Sequence, residues 1–177
     1  MKVKINDIPE GGLEINADYA DNKWLKELFV DIFGRDKMQD DDGGRISLML
    51  QRNYKDVTVV GGAVFKWHPS CDRCLGEYQK HEQVAIYQFM KPASKADKND
   101  ADVDEDEDFG IYHGKEIDIA ELVREHLILS RDMVNLCKDE CKGLCHKCGM
   151  NLNEGLCGCP VEQGDSTFAP LKNKLDV

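Results

Sequence analysis

The chain lacks any long apolar run. No segment approaches the roughly 18 consecutive apolar residues of a membrane span, and its opening residues, MKVKINDIPEGG, have no apolar stretch of the kind a signal peptide needs. The expectation is a cytoplasmic protein with no membrane partner. Basic charge is also in short supply: 23 Lys and Arg face 34 Asp and Glu, a net charge of −11, which argues against a broad basic glove for nucleic acid. Aromatic residues make up only 7% and hydrophobic residues 41% of the 177, enough for one modest core, with or without a small appendage. No Gly-rich phosphate loop is present, and no His-x-Glu stands upstream of Cys71-Asp-Arg-Cys74, so phosphoryl transfer and zinc-dependent deamination both lack their machinery.

The acidity is concentrated. Between Asp97 and Asp108 eight acidic residues accompany the single Lys98, with almost nothing apolar to bury. Such a run is expected to be disordered, either as a solvated spacer or as an acidic lure for a basic partner. It divides the chain into a β-rich part over 1–91, a linker over 92–108, a strand and helix over 109–136 completing the main domain, a cysteine-rich extension over 137–160 and a flexible tail over 161–177.

On either side of that linker the hydrophobic pattern is ordered. Val3 with Ile5, and Leu13 with Ile15, read as short strands; Ile46, Leu48 and Leu50 alternate with Ser47, Met49 and Gln51; Val84 to Phe89 supplies another strand. Val57 to Val60 and Ala63 to Trp67 are β-formers around Gly61-Gly62, a pair that predicts a tight turn or a bulge. Trp24, Leu25, Leu28, Phe29 and Ile32 recur at helical spacing, with Asp18 or Asp21 as N-cap and Gly34 as the stop. Asp118 and Glu121 open a second helix whose Ile119, Leu122, Val123 and Leu127 share one face. The fold class predicted is α+β: a mainly antiparallel sheet or partly open barrel, two helices and a C-terminal zinc-binding extension.

Eight cysteines carry the chemistry. In a reducing compartment, closely spaced Cys pairs hold metal more readily than they form disulfides. Cys71 and Cys74 sit at the turn between two predicted strands and make half of a tetrahedral site. Only the C-terminal cluster is able to supply the other half. There, Cys145-His-Lys-Cys148-Gly149 has the form of a zinc knuckle, and Cys157-Gly-Cys159 follows it closely, so these four close one site and Cys137 and Cys141 complete the other with Cys71 and Cys74. A rival partition groups Cys141, Cys145 and Cys148 with Cys157 or Cys159 and leaves Cys137 free. One or two Zn2+ ions are expected.

These residues carry a resemblance. Cys71-Asp-Arg-Cys74-Leu75, then Cys137-Lys-Asp-Glu-Cys141-Lys-Gly-Leu-Cys145-His-Lys-Cys148-Gly-Met-Asn-Leu-Asn153 and Cys157-Gly-Cys159 beyond an acidic linker, resemble the YceD family. That family is associated with accumulation of large-subunit ribosomal RNA in bacteria and plastids. The resemblance covers most of the chain and implies a small, mostly β, bacterial cytoplasmic protein that assists biogenesis of the large ribosomal subunit. His146 occupies a position often held by proline in such knuckles, which makes it a surface turn residue.

An enzyme is not expected. A catalytic zinc keeps an open coordination position, whereas clustered cysteines close their sites. A thioredoxin-like thiol at Cys71 wants a strand-to-helix turn, and strands on both sides argue against it. Binding remains, with no small-molecule substrate. One class of partner is ribosomal RNA, met by a local basic patch of Arg73, Lys138, Lys142 and Lys147; the other is a basic ribosomal protein drawn by the acidic linker. The alternative function is a redox-sensitive switch that ejects zinc on oxidation.

Overall fold

The computed structural model describes residues 1–34, 39, 41–93 and 109–160. The acidic stretch from 94 to 108 and the expected tail at 161–177 lie outside the described residues. In chain order the elements are β1 (Lys2–Lys4), β2 (Leu13–Asp18), α1 (Lys23–Phe33), β3 (Gly43–Asn53), β4 (Asp56–Trp67), β5 (Lys80–Pro92), β6 (Gly110–Tyr112), β7 (Glu116–Asp118) and α2 (Ile119–Leu129).

Three long strands dominate because period-two alternation runs through each of them. Ile46, Leu48 and Leu50 of β3, Val57, Val59, Ala63, Phe65 and Trp67 of β4, and Val84 and Ile86 of β5 all point to one buried face. The sheet order is β2-β3-β4-β5-β6, antiparallel except for the parallel β5–β6 pair, while β1 and β7 form a separate antiparallel ribbon. β2 and β6 stand at opposite edges, so the architecture is an open sheet and the barrel alternative is corrected.

Both helices cover the buried face. From α1, Leu25, Leu28, Phe29 and Phe33 reach the sheet, where the Phe29 ring lies 5.7 Å from that of Phe65 and Phe33 lies 4.6 Å from Trp67. Each such large side chain contributes about 1.5–3 kcal/mol by leaving water. From α2, Ile119, Leu122, Val123 and Leu127 are buried. Asp118 caps α2 by accepting from the backbone N–H groups of Ala120 and Glu121, and the Gly34 N–H closes α1 on the Val30 carbonyl at a φ of 87°.

Three local expectations are corrected. Ile5 begins a 3-10 turn over Ile5–Asp7 and does not extend β1. The N-cap of α1 is Asn22, because Asp18 ends β2 and its carboxylate is already accepting from Ala20 N–H. Gly61-Gly62 is neither turn nor bulge: β4 passes straight through it, paired residue for residue with β3 and β5. Glycine is required there by close approach. A Cβ at Gly61 would fall 2.0 Å from the Ser47 carbonyl oxygen, and one at Gly62 would fall 2.8 Å from that of Val84.

The core also sets the stage for the cysteines. β4 ends at Trp67 and β5 begins at Lys80, leaving residues 68–79 as a loop at one end of the sheet. Chain leaving α2 is drawn to the same end. The Arg131 guanidinium covers Phe33 and Trp67 at 5.5 and 5.3 Å and donates to the Ile32 carbonyl, and Lys80 holds Asp132 at 2.8 Å.

Two candidate metal centres

Two backbone turns of the same design present the first cysteines of each group. In the 68–79 loop the Leu75 N–H donates to the Cys71 carbonyl, the Cys71 N–H donates to the Gly76 carbonyl, and Ser70 bridges Glu77. In the extension the Gly149 N–H donates to the Cys145 carbonyl, the Cys145 N–H donates to the Met150 carbonyl, and Leu144 bridges Asn151. The residue after the second cysteine is left-handed in both, with φ of 58° at Leu75 and 73° at Gly149. Turning the chain this way aims backbone N–H groups at sulfur, which favours thiolate.

Cys71, Cys74, Cys137 and Cys141 converge into one tetrad and Cys145, Cys148, Cys157 and Cys159 into the other, with all sulfurs of a tetrad within 4.8 Å of one another. The rival partition, with Cys137 left out, is not the arrangement found. In the first tetrad Cys71 Sγ lies 3.7 Å from Cys141 Sγ and Cys74 Sγ lies 3.8 Å from Cys137 Sγ. A zinc ion with bonds of about 2.3 Å to four thiolates has a tetrahedral edge of about 3.8 Å, whereas a disulfide needs about 2.05 Å. Those two separations match the edge of a four-thiolate metal site, and the remaining sulfurs lie within 4.8 Å. The first tetrad is largely buried; in the second Cys145 is buried, Cys157 and Cys159 are half-buried and Cys148 is exposed.

Ionisation within each tetrad is uneven. Burial pushes the Cys71 thiol up, but backbone N–H groups of Cys137, Cys74 and Arg73 outweigh it and lower the group to about 6. The N–H groups of Cys148 and Lys147 bring Cys145 to about 6. By contrast, Cys137 is raised to about 12, first by desolvation and then by neighbouring sulfurs, and Cys159 is raised to about 12 chiefly by Cys148. Four thiolates so close together cannot all ionise without a cation among them, and a divalent ion would supply that cation.

The expected partner contacts are placed differently from one another. Arg73 stays exposed, yet it reaches across the first turn and donates to the carbonyls of Asp139 and Cys141, so it ties the two halves of the tetrad together. Lys138, Lys142, His146 and Lys147 are exposed on the extension, interleaved with Asp139, Glu140 and Glu154. Asn153 was not singled out by the sequence. It belongs to the loop of the second tetrad, yet its Nδ2 lies 3.3 Å from Cys141 Sγ of the first, while its Oδ1 accepts from the Lys142 N–H at 2.9 Å. Asn151-Leu-Asn153 carries a local signal for this, an Asx turn in which Asn151 Oδ1 accepts from the Asn153 N–H. A third group lies apart: buried Asp42 accepts from the Gln39 N–H and holds the His68 ring at 2.7 Å, with Asp41 on Lys66, clasping the segment before β3 to the base of the first turn.

Among the described residues no helix is long and apolar enough to cross a membrane. No solved structure matches the chain. A curated relative from Arabidopsis thaliana, described as "Large ribosomal RNA subunit accumulation protein YCED homolog 1, chloroplastic", is 42% identical over 59 residues. That match spans 33% of this chain and 18% of the relative, so the chain covers well under two thirds of that protein's length. The family model described as "Large ribosomal RNA subunit accumulation protein YceD" matches residues 59–174, a span that takes in most of β4, all of β5 and α2, and every cysteine of both tetrads. With more than half its length matched, the chain belongs to the YceD family.

Proposed function

We propose that this chain is a non-catalytic zinc protein of the cytoplasm that binds large-subunit ribosomal RNA and thereby supports its accumulation. The observation that carries the zinc reading is the agreement between the 3.7 and 3.8 Å sulfur separations and the edge of a tetrahedral four-thiolate site. Zinc, once bound, would neutralise part of the thiolate charge and fix the extension; the residues holding it would be Cys71, Cys74, Cys137 and Cys141 at one site and Cys145, Cys148, Cys157 and Cys159 at the other. Four protein ligands per ion leave no open position for substrate or activated water, which supports a binding role over catalysis.

The RNA reading is supported by the family description, which concerns large-subunit ribosomal RNA. It is tested by titrating the zinc-loaded protein with large-subunit RNA fragments at 50 and 200 mM salt. Phosphate contacts predict strong binding at the lower concentration that weakens steeply at the higher. No affinity at low salt overturns it, and capture of a basic ribosomal protein in place of RNA would move the reading to a protein partner. Zinc analysis of wild type beside Cys71→Ser and Cys148→Ser tests the metal: two ions falling to one in each variant supports two independent sites. A second reading, a redox switch, is favoured by the exposure of Cys148. Peroxide that releases no metal would dispose of it.

A further inference from the structure

We propose that the two cysteine centres are energetically coupled through Asn153: an ion at the more exposed second centre sets this residue against Cys141 and so tightens the buried first centre. This rests on the zinc reading above and stands apart from the RNA reading.

The last ligand of the first tetrad, Cys141, and the first ligand of the second, Cys145, are separated only by Lys142, Gly143 and Leu144. That link is held from both sides. From the loop of the second centre, Asn153 Oδ1 accepts from the Lys142 N–H and the Leu152 N–H donates to the Gly143 carbonyl, each at 2.9 Å, while Leu144 bridges Asn151. From the turn of the first centre, Arg73 donates to the Cys141 carbonyl at 3.3 Å. Gly143 lies against the same arginine: its φ is 73°, and a Cβ there would fall 3.1 Å from the Arg73 carbonyl oxygen. Ordering either end of so short a link removes much of the freedom of the other, so the second ion to bind has less chain to order than the first.

Asn153 adds a direct contact. It stands in 149–156, between the Cys145 and Cys148 pair and the Cys157 and Cys159 pair, yet its Nδ2 donates to Cys141 Sγ at 3.3 Å. Asn151 Oδ1 orients it, accepting from Asn153 Nδ2 at 2.8 Å and from the Asn153 N–H at 3.1 Å. A donor aimed at a ligating sulfur stabilises the metal-bound form, and such outer partners are worth about 10- to 100-fold in affinity. The loop that carries this donor has little packing to hold it. The small apolar cluster at the first tetrad takes in Tyr78, Leu136 and Leu144 and no residue of 149–160. What gathers 149–156 is the second tetrad, at its two ends. By linkage an ion at the first centre strengthens the second by the same factor. Cys148 is exposed whereas the first tetrad is largely buried, so a chelator meets the second centre first. Loss of that ion then loosens the tie between extension and sheet, which the ion itself does not touch.

The test reads zinc affinities by chelator competition in the full chain with reductant present. Cys148→Ser isolates the first centre and Cys71→Ser the second. The product of the two dissociation constants of wild type is expected to be about 20-fold smaller than the product of the constants of the two single-centre variants. With Asn153→Ala added to all three proteins, that ratio is expected to fall to about two-fold. Asn153→Asp keeps the acceptor for the Lys142 N–H but loses the donor to sulfur, and should lower the ratio equally. Because Cys71 is fully buried, Cys137→Ser, at a half-buried position, repeats the measurement should the Cys71 variant melt early. A ratio near one in wild type holding two ions would refute the coupling and leave the zinc reading standing. A ratio that Asn153→Ala leaves unchanged, or that Asn153→Asp preserves, would refute the part given to Asn153. Protein that takes up no zinc would sink both readings.

Discussion

Stripping the metal from the zinc-loaded protein with a strong chelator is expected to unfold residues 137–160 while the sheet and both helices stay folded. The extension has little core of its own: the cluster around it consists of Cys71, Cys74 and Cys141, with Tyr78, Leu136, Cys137 and Leu144 only partly buried. Ordering the backbone of 137–160 costs on the order of 25 kcal/mol at about 1 kcal/mol per residue. Two structural zinc ions, at about 10–16 kcal/mol each, offset about 20–30 kcal/mol of that, and without them the half-buried leucines contribute only a few. Hydrogen exchange by mass spectrometry reads the outcome directly. The amides of Cys145, Gly149 and Leu152, which donate to Met150, Cys145 and Gly143, should change from protected to freely exchanging, while those of β3–β5 remain slow. Persistent protection at 145–152 in protein shown by metal analysis to be empty, with reductant present, would refute the reasoning.

Gly61→Ala is expected to cost about 3 kcal/mol in a thermal or urea melt, since its Cβ would sit 2.0 Å from the Ser47 carbonyl oxygen; a loss under about 1 kcal/mol would mean the strands part easily. Acid should release the metal: Cys71 and Cys145, lowered from 9.0 to about 6, contribute as thiolates fully above pH 9 and lose that contribution as pH falls through 6, so a zinc-sensitive dye should report release on the acid side and none between pH 7 and 9. Leu75→Gly should leave stability unchanged or raise it by up to about 1 kcal/mol, because a left-handed φ of 58° penalises leucine and the side chain is largely exposed; a clear loss would show that Leu75 packs. Asn153→Ala should weaken one of the two zinc ions about 10-fold or more in a chelator competition, through loss of the donor to Cys141, and equal effects on both ions would contradict that.

Much of the fold was legible because its signals are local. The cap at Asp118, the stop at Gly34 and the alternation through Ile46, Leu48 and Leu50 depend on neighbours within a few residues. The spacing of the cysteines likewise pointed to the grouping now seen. What escaped depends on contacts between distant segments. Gly61-Gly62 carries a turn signature, yet its glycines answer to Ser47 and Val84 on flanking strands. Asp18 offers a good cap, yet Ala20 has already taken its carboxylate. Arg73 reads as a surface cation until the carbonyls of Asp139 and Cys141 come within its reach, and Asn153 reads as a polar loop residue until Cys141 does. The solvent-facing side of the sheet was hidden for another reason: alternation tells which residues share a face, and only the placement of the helices tells which face is covered.

The parallel pairing of β5 and β6 has a consequence for what the chain tolerates. Met90 lies beside Gly110 and Pro92 beside Tyr112, and the Ala93 N–H returns to the Tyr112 carbonyl, so the chain leaves the sheet and rejoins it at nearly the same spot. For an excursion whose ends adjoin, the closure entropy grows by only about 0.6 kcal/mol for each doubling of length. The span between those strands is thus a permissive insertion point: a reporter domain or an affinity tag placed there would be carried at the sheet's edge, with little strain on the core or on either sulfur cluster.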